Sequence, residues 1–230
     1  MDPSHLNIVF EIIVLLFAVS FHESAHAWTA WRLGDPTAYM LGRITLNPVK
    51  HIDPLGSIVV PIVTAFFGYP FGWAKPTPVN TRHFKHLMRD DILTSVAGPV
   101  SNFILAFGAV IALKIIAMTS TDGLMAVEGA VRFVFSGGKV AAFASNSNLN
   151  PISILLTDAL YINVILAIFN LIPIPPLDGS HVIRHLLPSS ALRAYDSLGI
   201  IGIILFFTLG SSVLGYLAYP VLRFFLSLLG

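Results

Sequence analysis

The chain is expected to be a polytopic α-helical membrane protein: a single domain over residues 1–230, with about four main transmembrane helices and a short membrane-embedded β or re-entrant segment. Three observations carry this expectation. Hydrophobic residues fill 55% of the 230 positions and charged residues 11%, and the mean hydropathy of +0.80 lies well outside the soluble range. Four apolar stretches, at about 6–33, 92–118, 152–172 and 197–228, are long enough to cross ~30 Å of hydrocarbon as helices. A fifth, from Gly56 to Phe67, is too short to span and is interrupted by Pro61.

The first span stops at Gly34-Asp35-Pro36, a glycine-then-proline helix terminator. Glu11, near its first turns, is expected to snorkel or pair. Residues 40–80 are rich in Pro and Gly without helical period, and read as loop and short strand around the re-entrant stretch. Within them, the β-branched run Gly56 to Thr64 is a candidate strand edge at membrane depth. Ala74 to Asn80 returns the chain to water.

The second span contains Ser95-Val96-Ala97-Gly98-Pro99-Val100-Ser101-Asn102. Small residues there permit close helix approach, and Asn102 can hydrogen-bond across helices. Between Thr119 and Asn150, Val127, Val131 and Phe135 mark a short amphipathic interfacial helix. The third span ends in Asn170-Leu171-Ile172-Pro173-Ile174-Pro175-Pro176-Leu177-Asp178-Gly179, where three prolines in four positions forbid a helix. Unwound backbone at that depth must line a cavity or be buried in protein. The fourth region exceeds one span, so it is expected to tilt or to break near Gly210, Gly215 or Pro220.

The net charge of +1 and the dispersed Lys and Arg exclude a polyanion-binding surface, so no nucleic-acid partner is expected. The chain has no cysteine, which excludes disulfides, thiolate metal ligands and a cysteine nucleophile together. The first apolar run lacks a basic leader and is read as a retained span. Six Lys and Arg lie between Gly34 and Asp91 and two in the turn after the third span; the amino terminus has none, Thr119 to Asn150 two and the carboxyl end one. The positive-inside rule then places both chain ends outside and the two richer regions in the cytosol.

Inside the first span stands His22-Glu23-Ser24-Ala25-His26, an H-E-x-x-H pattern. On a helix the two histidines share one face a turn apart, so both imidazoles can bind one Zn²⁺, with Glu23 within reach of a water there. Ionisable groups inside an apolar span are functional-site candidates by default. His26 is about 12 Å from the cytosolic end of its helix, at ~1.5 Å per residue. A catalytic zinc commonly takes three protein ligands. Glu11 is about 16 Å away along the same helix, Glu128 is expected on the opposite membrane face, and Asp158 near the outer end of its span. Asp178 remains, held by Pro176 and Gly179, with the cytosolic His181 and His185 as competitors. Two neutral histidines with Asp178 and Glu23 would bring a Zn²⁺ site near neutrality.

Taken together, these residues resemble the site-2 protease family of intramembrane zinc metalloproteases. The resemblance rests on His22, Glu23 and His26, on the Ser95 to Asn102 segment, and on Asn170 through Gly179, which looks like the family's N-x-x-P-x-P-P-L-D-G signature. It implies His22, His26 and Asp178 as ligands of one Zn²⁺ per chain, Glu23 as general base, and Asn170 as a contact to the scissile carbonyl or its oxyanion. It implies transmembrane protein or peptide substrates, a lipid environment, and a multi-pass protein of a prokaryotic cell membrane with its active site toward the cytosol. Gly42-Arg43 through Asn47-Pro48, His51-Ile52-Asp53-Pro54 and Ala74-Lys75-Pro76 look like a compact prokaryotic branch. Against the family pattern the chain is expected to lack an inserted PDZ-like domain, an appended regulatory domain and a helix before the H-E-x-x-H span, which leaves open what recruits substrate, a regulatory partner protein being one candidate. The rival class is a non-enzymatic membrane metal transporter or metal-binding scaffold, which has no particular need of a base beside its first ligand; an inactive membrane chaperone is a third. His51 is read as a loop histidine without catalytic duty, against a gate or substrate contact.

Overall fold

The computed structural model describes residues 3–59, 74–137, 149–199 and 211–230. The eight α-helices among them are α1 (Pro3–Arg32), α2 (Thr37–Met40), α3 (Leu87–Thr119), α4 (Thr121–Phe135), α5 (Asn150–Leu171), α6 (Gly179–Leu186), α7 (Ser189–Asp196) and α8 (Ser211–Ser227). Three are long and apolar enough to cross a membrane: Ile8–Arg32 within α1, α3, and α5. They agree with the first three expected spans. Of the fourth expected span, residues 200–210 lie outside the described residues, and α8 is the 17-residue helix described in the remainder. This helix continues through Gly215 and Pro220, so no break occurs at either position, and Gly210 lies outside the described residues.

Helices α1, α3 and α5 pack on one another, α4 lies against α3 and α5, and α8 covers α5. Small residues make the close approaches: Ala18, Ala27 and Ala30 on α1, Gly98, Ala106 and Ala109 on α3, and Ala167 on α5 are all buried. Around them Val110, Leu160, Val164, Leu222 and Phe225 form the principal apolar cluster. The outer faces are apolar too. Ile104, Ile111 and Ile115 are each about 60% exposed along one side of α3, an arrangement stable against lipid and costly against water.

Two local expectations are corrected. Gly56 to Val59 belong to a π-helical turn, Pro54–Val59, and there is no strand among the described residues. Asp53 Oδ1 accepts from the Gly56 N–H at 2.7 Å, so an Asp-Pro helix start outweighs the β-branched preference that follows. The rest of the expected re-entrant stretch, including the strand edge as far as Thr64, lies outside the described residues. The expected interfacial helix exists as α4, capped by Ser120 Oγ accepting from Gly123 N at 3.0 Å. Its buried stripe is Gly123, Ala126, Val127, Ala130 and Phe133, whereas Phe135 is exposed. Packing onto α3 and α5, rather than an interfacial position alone, selects that stripe.

The junction after α1 is built on Asp35. Its fully buried carboxylate accepts from Thr37 N and Oγ1, from Asn80 N and from His83 Nδ1. Burial would raise its pKa, but hydrogen bonds from Thr37, His83 and Asn80 hold it below the usual carboxylate range. This ties residues 80–83 to the end of α1, and the preceding segment, Ala74 to Val79, passes beside Glu23.

Candidate metal centre

His22 and His26 lie one helical turn apart on the buried face of α1, opposite α3. Asp178 is brought to them by the proline-rich turn after α5. That turn closes through Ile174 N to Ile172 O at 2.8 Å and Leu177 N to Ile174 O at 2.9 Å. Gly179 is needed where α6 starts, because a Cβ there would meet the Leu171 carbonyl and lie 2.8 Å from Ile172 O. Tyr195 on α7 clamps both sides of the turn, its hydroxyl donating toward Pro173 O at 3.0 Å and Ser180 O at 3.4 Å.

The three side chains converge closely. Nε2 of His22 and Nε2 of His26 are 3.0 Å apart, and Asp178 Oδ2 lies 3.1 Å from the first and 3.3 Å from the second. Tetrahedral zinc with bonds of ~2.0–2.2 Å sets its ligand atoms about 3.3–3.6 Å apart, and the triangle is a few tenths of an ångström tighter than that spacing.

Protonation argues the same way. His26 Nδ1 faces the Thr94 carbonyl at 2.7 Å, and a carbonyl only accepts, so that nitrogen carries the proton. His22 Nδ1 faces Asn102 Oδ1 at 2.6 Å. In the neutral rings both Nε2 atoms are thereby left as lone pairs, and Asp178 Oδ2 is buried without a hydrogen-bond partner. Three lone pairs facing one point at these distances repel one another, and a cation between them would relieve that repulsion.

Helix α3 is shaped to this triangle. Pro99 removes the backbone bond to the Ser95 carbonyl, and the adjacent carbonyl, that of Thr94, is the one that accepts from His26. At Gly98 a Cβ would lie 2.5 Å from Cε1 and 2.6 Å from Nε2 of His22, and would also collide with His26 Nε2. The Gly-Pro pair is a cradle for the two imidazoles.

Glu23, half-buried on the same turn of α1, is fixed from the other side. Its Oε2 accepts from Thr77 N at 2.8 Å, and Thr77 Oγ1 donates to the Glu23 carbonyl at 3.0 Å. Asn170 Nδ2 donates to Leu166 O at 3.0 Å on its own helix. His181 and His185 do not approach the triangle. Both bond Asp91 Oδ2 on α3, at 3.2 and 2.7 Å, and so clasp α6 to α3. His51 is buried, with Nε2 on Thr45 O at 2.9 Å.

The sequence profile of peptidase family M50 matches residues 10–209, a range that holds the H-E-x-x-H helix, the Gly-Pro cradle and Asp178. The chain belongs to peptidase family M50. Its relatives agree. YwhC of Bacillus subtilis (strain 168), named as a candidate zinc metalloprotease, is 37% identical over 92% of this chain and 85% of its own length. Rip2 of Mycobacterium tuberculosis (strain ATCC 25618 / H37Rv), named likewise, is 27% identical over 79% of this chain and 60% of its own length. Rip2 of Mycolicibacterium smegmatis is 34% identical over 40% of this chain and 34% of its own length. No solved structure gives a significant match. As an M50 chain with three apolar helices of spanning length, the protein is a membrane metalloprotease of the zinc-dependent kind.

Proposed function

We propose that this M50 protein is an intramembrane protease that holds one zinc ion on His22, His26 and Asp178 and hydrolyses peptide bonds in or near transmembrane segments of other membrane proteins, as in regulated intramembrane proteolysis. The observation that carries this reading is the triangle of Nε2, Nε2 and Oδ2 inside a three-helix apolar bundle. Zinc bound there supplies a Lewis acid that polarises the scissile carbonyl and makes water a nucleophile at neutral pH. Glu23 takes the proton of the attacking water on its free oxygen, while Thr77 holds the other. It then delivers the proton to the amide nitrogen, which leaves as an amine when the C–N bond breaks. Asn170 would hydrogen-bond the carbonyl oxygen after giving up its contact to Leu166. The clasp from Asp91 and the clamp from Tyr195 hold the Asp178 turn still through these steps.

A substrate helix keeps its amides in i to i−4 bonds, so the scissile stretch has to unwind first. Purified protein reconstituted with a membrane-protein substrate is therefore expected to cut within or at the edge of the transmembrane segment, and faster when Gly or Pro is placed beside the cut. Mass mapping of the products decides this. Cuts confined to water-exposed loops contradict intramembrane cleavage.

The charge distribution supports a cytosol-facing site with both chain ends outside. Single cysteines introduced between Thr81 and Arg89, or at Arg193, are expected to be shielded from an impermeant thiol reagent added to intact cells, while one at position 146 reacts. Labelling of the first two from outside contradicts the orientation.

A further inference from the structure

We propose that Asn163 is a positioning residue for the metal centre: acting through Asn102, it fixes His22 as a ring protonated on Nδ1, with Nε2 free for the metal. The inference rests on the zinc reading above and concerns what holds one ligand in its binding form.

The chain of contacts crosses three helices and has only one consistent assignment. Asn163 Nδ2 lies 2.8 Å from the Ala159 carbonyl on α5, which only accepts, so the amide is oriented with Oδ1 toward α3. That Oδ1 meets Asn102 Nδ2 at 2.8 Å, and the same Nδ2 points at the Ala18 carbonyl on α1 at 3.4 Å. Asn102 is thereby forced to present Oδ1 to His22 Nδ1 at 2.6 Å. An acceptor at that point requires a proton on Nδ1 and leaves the lone pair on Nε2.

His22 and His26 differ in how they are held. His26 faces a backbone carbonyl, which cannot reverse its role. His22 faces a side-chain amide, which can rotate by 180°. A reversed Asn102 would offer its NH₂ to Nδ1, turn that nitrogen into an acceptor and move the ring proton to Nε2, where the metal has to bind. Asn163 prevents the reversal, because a reversed Asn102 would set two carbonyl oxygens against each other. Both asparagines are buried, at 0% and 2% exposure, inside apolar helices, so no water stands in for a missing partner. The relay needs an acceptor at position 163, and the Asn163 donor serves only to set the direction of that amide.

Zinc affinity, read by competition with a chromophoric chelator in purified full-length protein, tests this together with the ligand-field spectrum of the Co²⁺-loaded protein. Asn163→Leu is expected to weaken zinc by about 10-fold or more, in the range found when a ligand loses its outer partner, and to perturb the Co²⁺ spectrum. Asn163→Asp keeps the acceptor but loses the donor, and is expected to bind zinc within about threefold of wild type. Asn102→Asp can only accept from Nδ1, so in that background Asn163→Leu should cost nothing further. Should Asn163→Leu not fold, Asn163→Ala is read in its place. Wild-type affinity in Asn163→Leu, equal losses in the Asp and Leu variants, or additive losses in the double variant each overturn the relay. A wild-type chain that binds no zinc overturns the zinc reading as well, whereas normal wild-type binding with an indifferent position 163 overturns the relay alone.

Discussion

Glu23→Gln is expected to lower cleavage by roughly 10²–10⁴-fold while zinc stays near one ion per chain. The side chain is not part of the triangle; it sits beside it with one oxygen on Thr77 N. Glutamine preserves size and can keep that contact through its amide oxygen, but it cannot accept a proton from water. The loss should therefore fall on the chemical step, in kcat, with substrate binding little changed. Parallel zinc analysis and product quantification check it. Undiminished cleavage by the variant contradicts the protease assignment and favours a metal-binding protein without catalysis.

The second large effect is expected from disturbing the triangle itself. His22→Ala, His26→Ala and Asp178→Ala each remove one of three ligands and should lose both zinc and cleavage. Gly98→Ala leaves every ligand in place and reaches the same end by sterics. The added methyl would lie 2.5 Å from the His22 ring, and α3 cannot retreat without breaking the Thr94 and Asn102 contacts that orient both imidazoles. Overpacking of this kind costs about 1–3 kcal/mol, so zinc should bind about 5- to 150-fold more weakly. Gly108→Ala on the same helix, where nothing lies within 4 Å of the added carbon, is the control and should be silent.

Much of this site was legible in the sequence because helical period and proline chemistry are local. His22 and His26 one turn apart must share a face, and Pro173, Pro175 and Pro176 must end α5 before Asp178, whatever the rest of the fold does. The first three spans follow from apolar length alone. Asn102 was recognisable as a cross-helix hydrogen bonder, since an amide inside an apolar span needs a partner.

What was not legible depends on pairings between distant residues. Thr94 contributes a backbone carbonyl, which carries no side-chain signal. Asp91, 90 and 94 residues before His181 and His185, holds both on α3 through a contact that no spacing rule announces. Gly98 could be read as a small residue for close helix approach, but not as the floor under two imidazoles. Asn163 had a weak signal, an amide in the middle of an apolar helix, and its partner became clear only once α3 and α5 were side by side. The turn at Pro54–Val59 shows the converse error, where β-branched residues suggested a strand and the Asp53 cap formed a helical turn.

The zinc-to-chain ratio of purified wild type, Asp178→Ala and His181→Ala, measured side by side in folded protein, tests the central claim most directly. The ratio is expected to be near one for wild type and His181→Ala and to fall close to zero for Asp178→Ala. Zinc retained by Asp178→Ala and lost from His181→Ala would contradict the account.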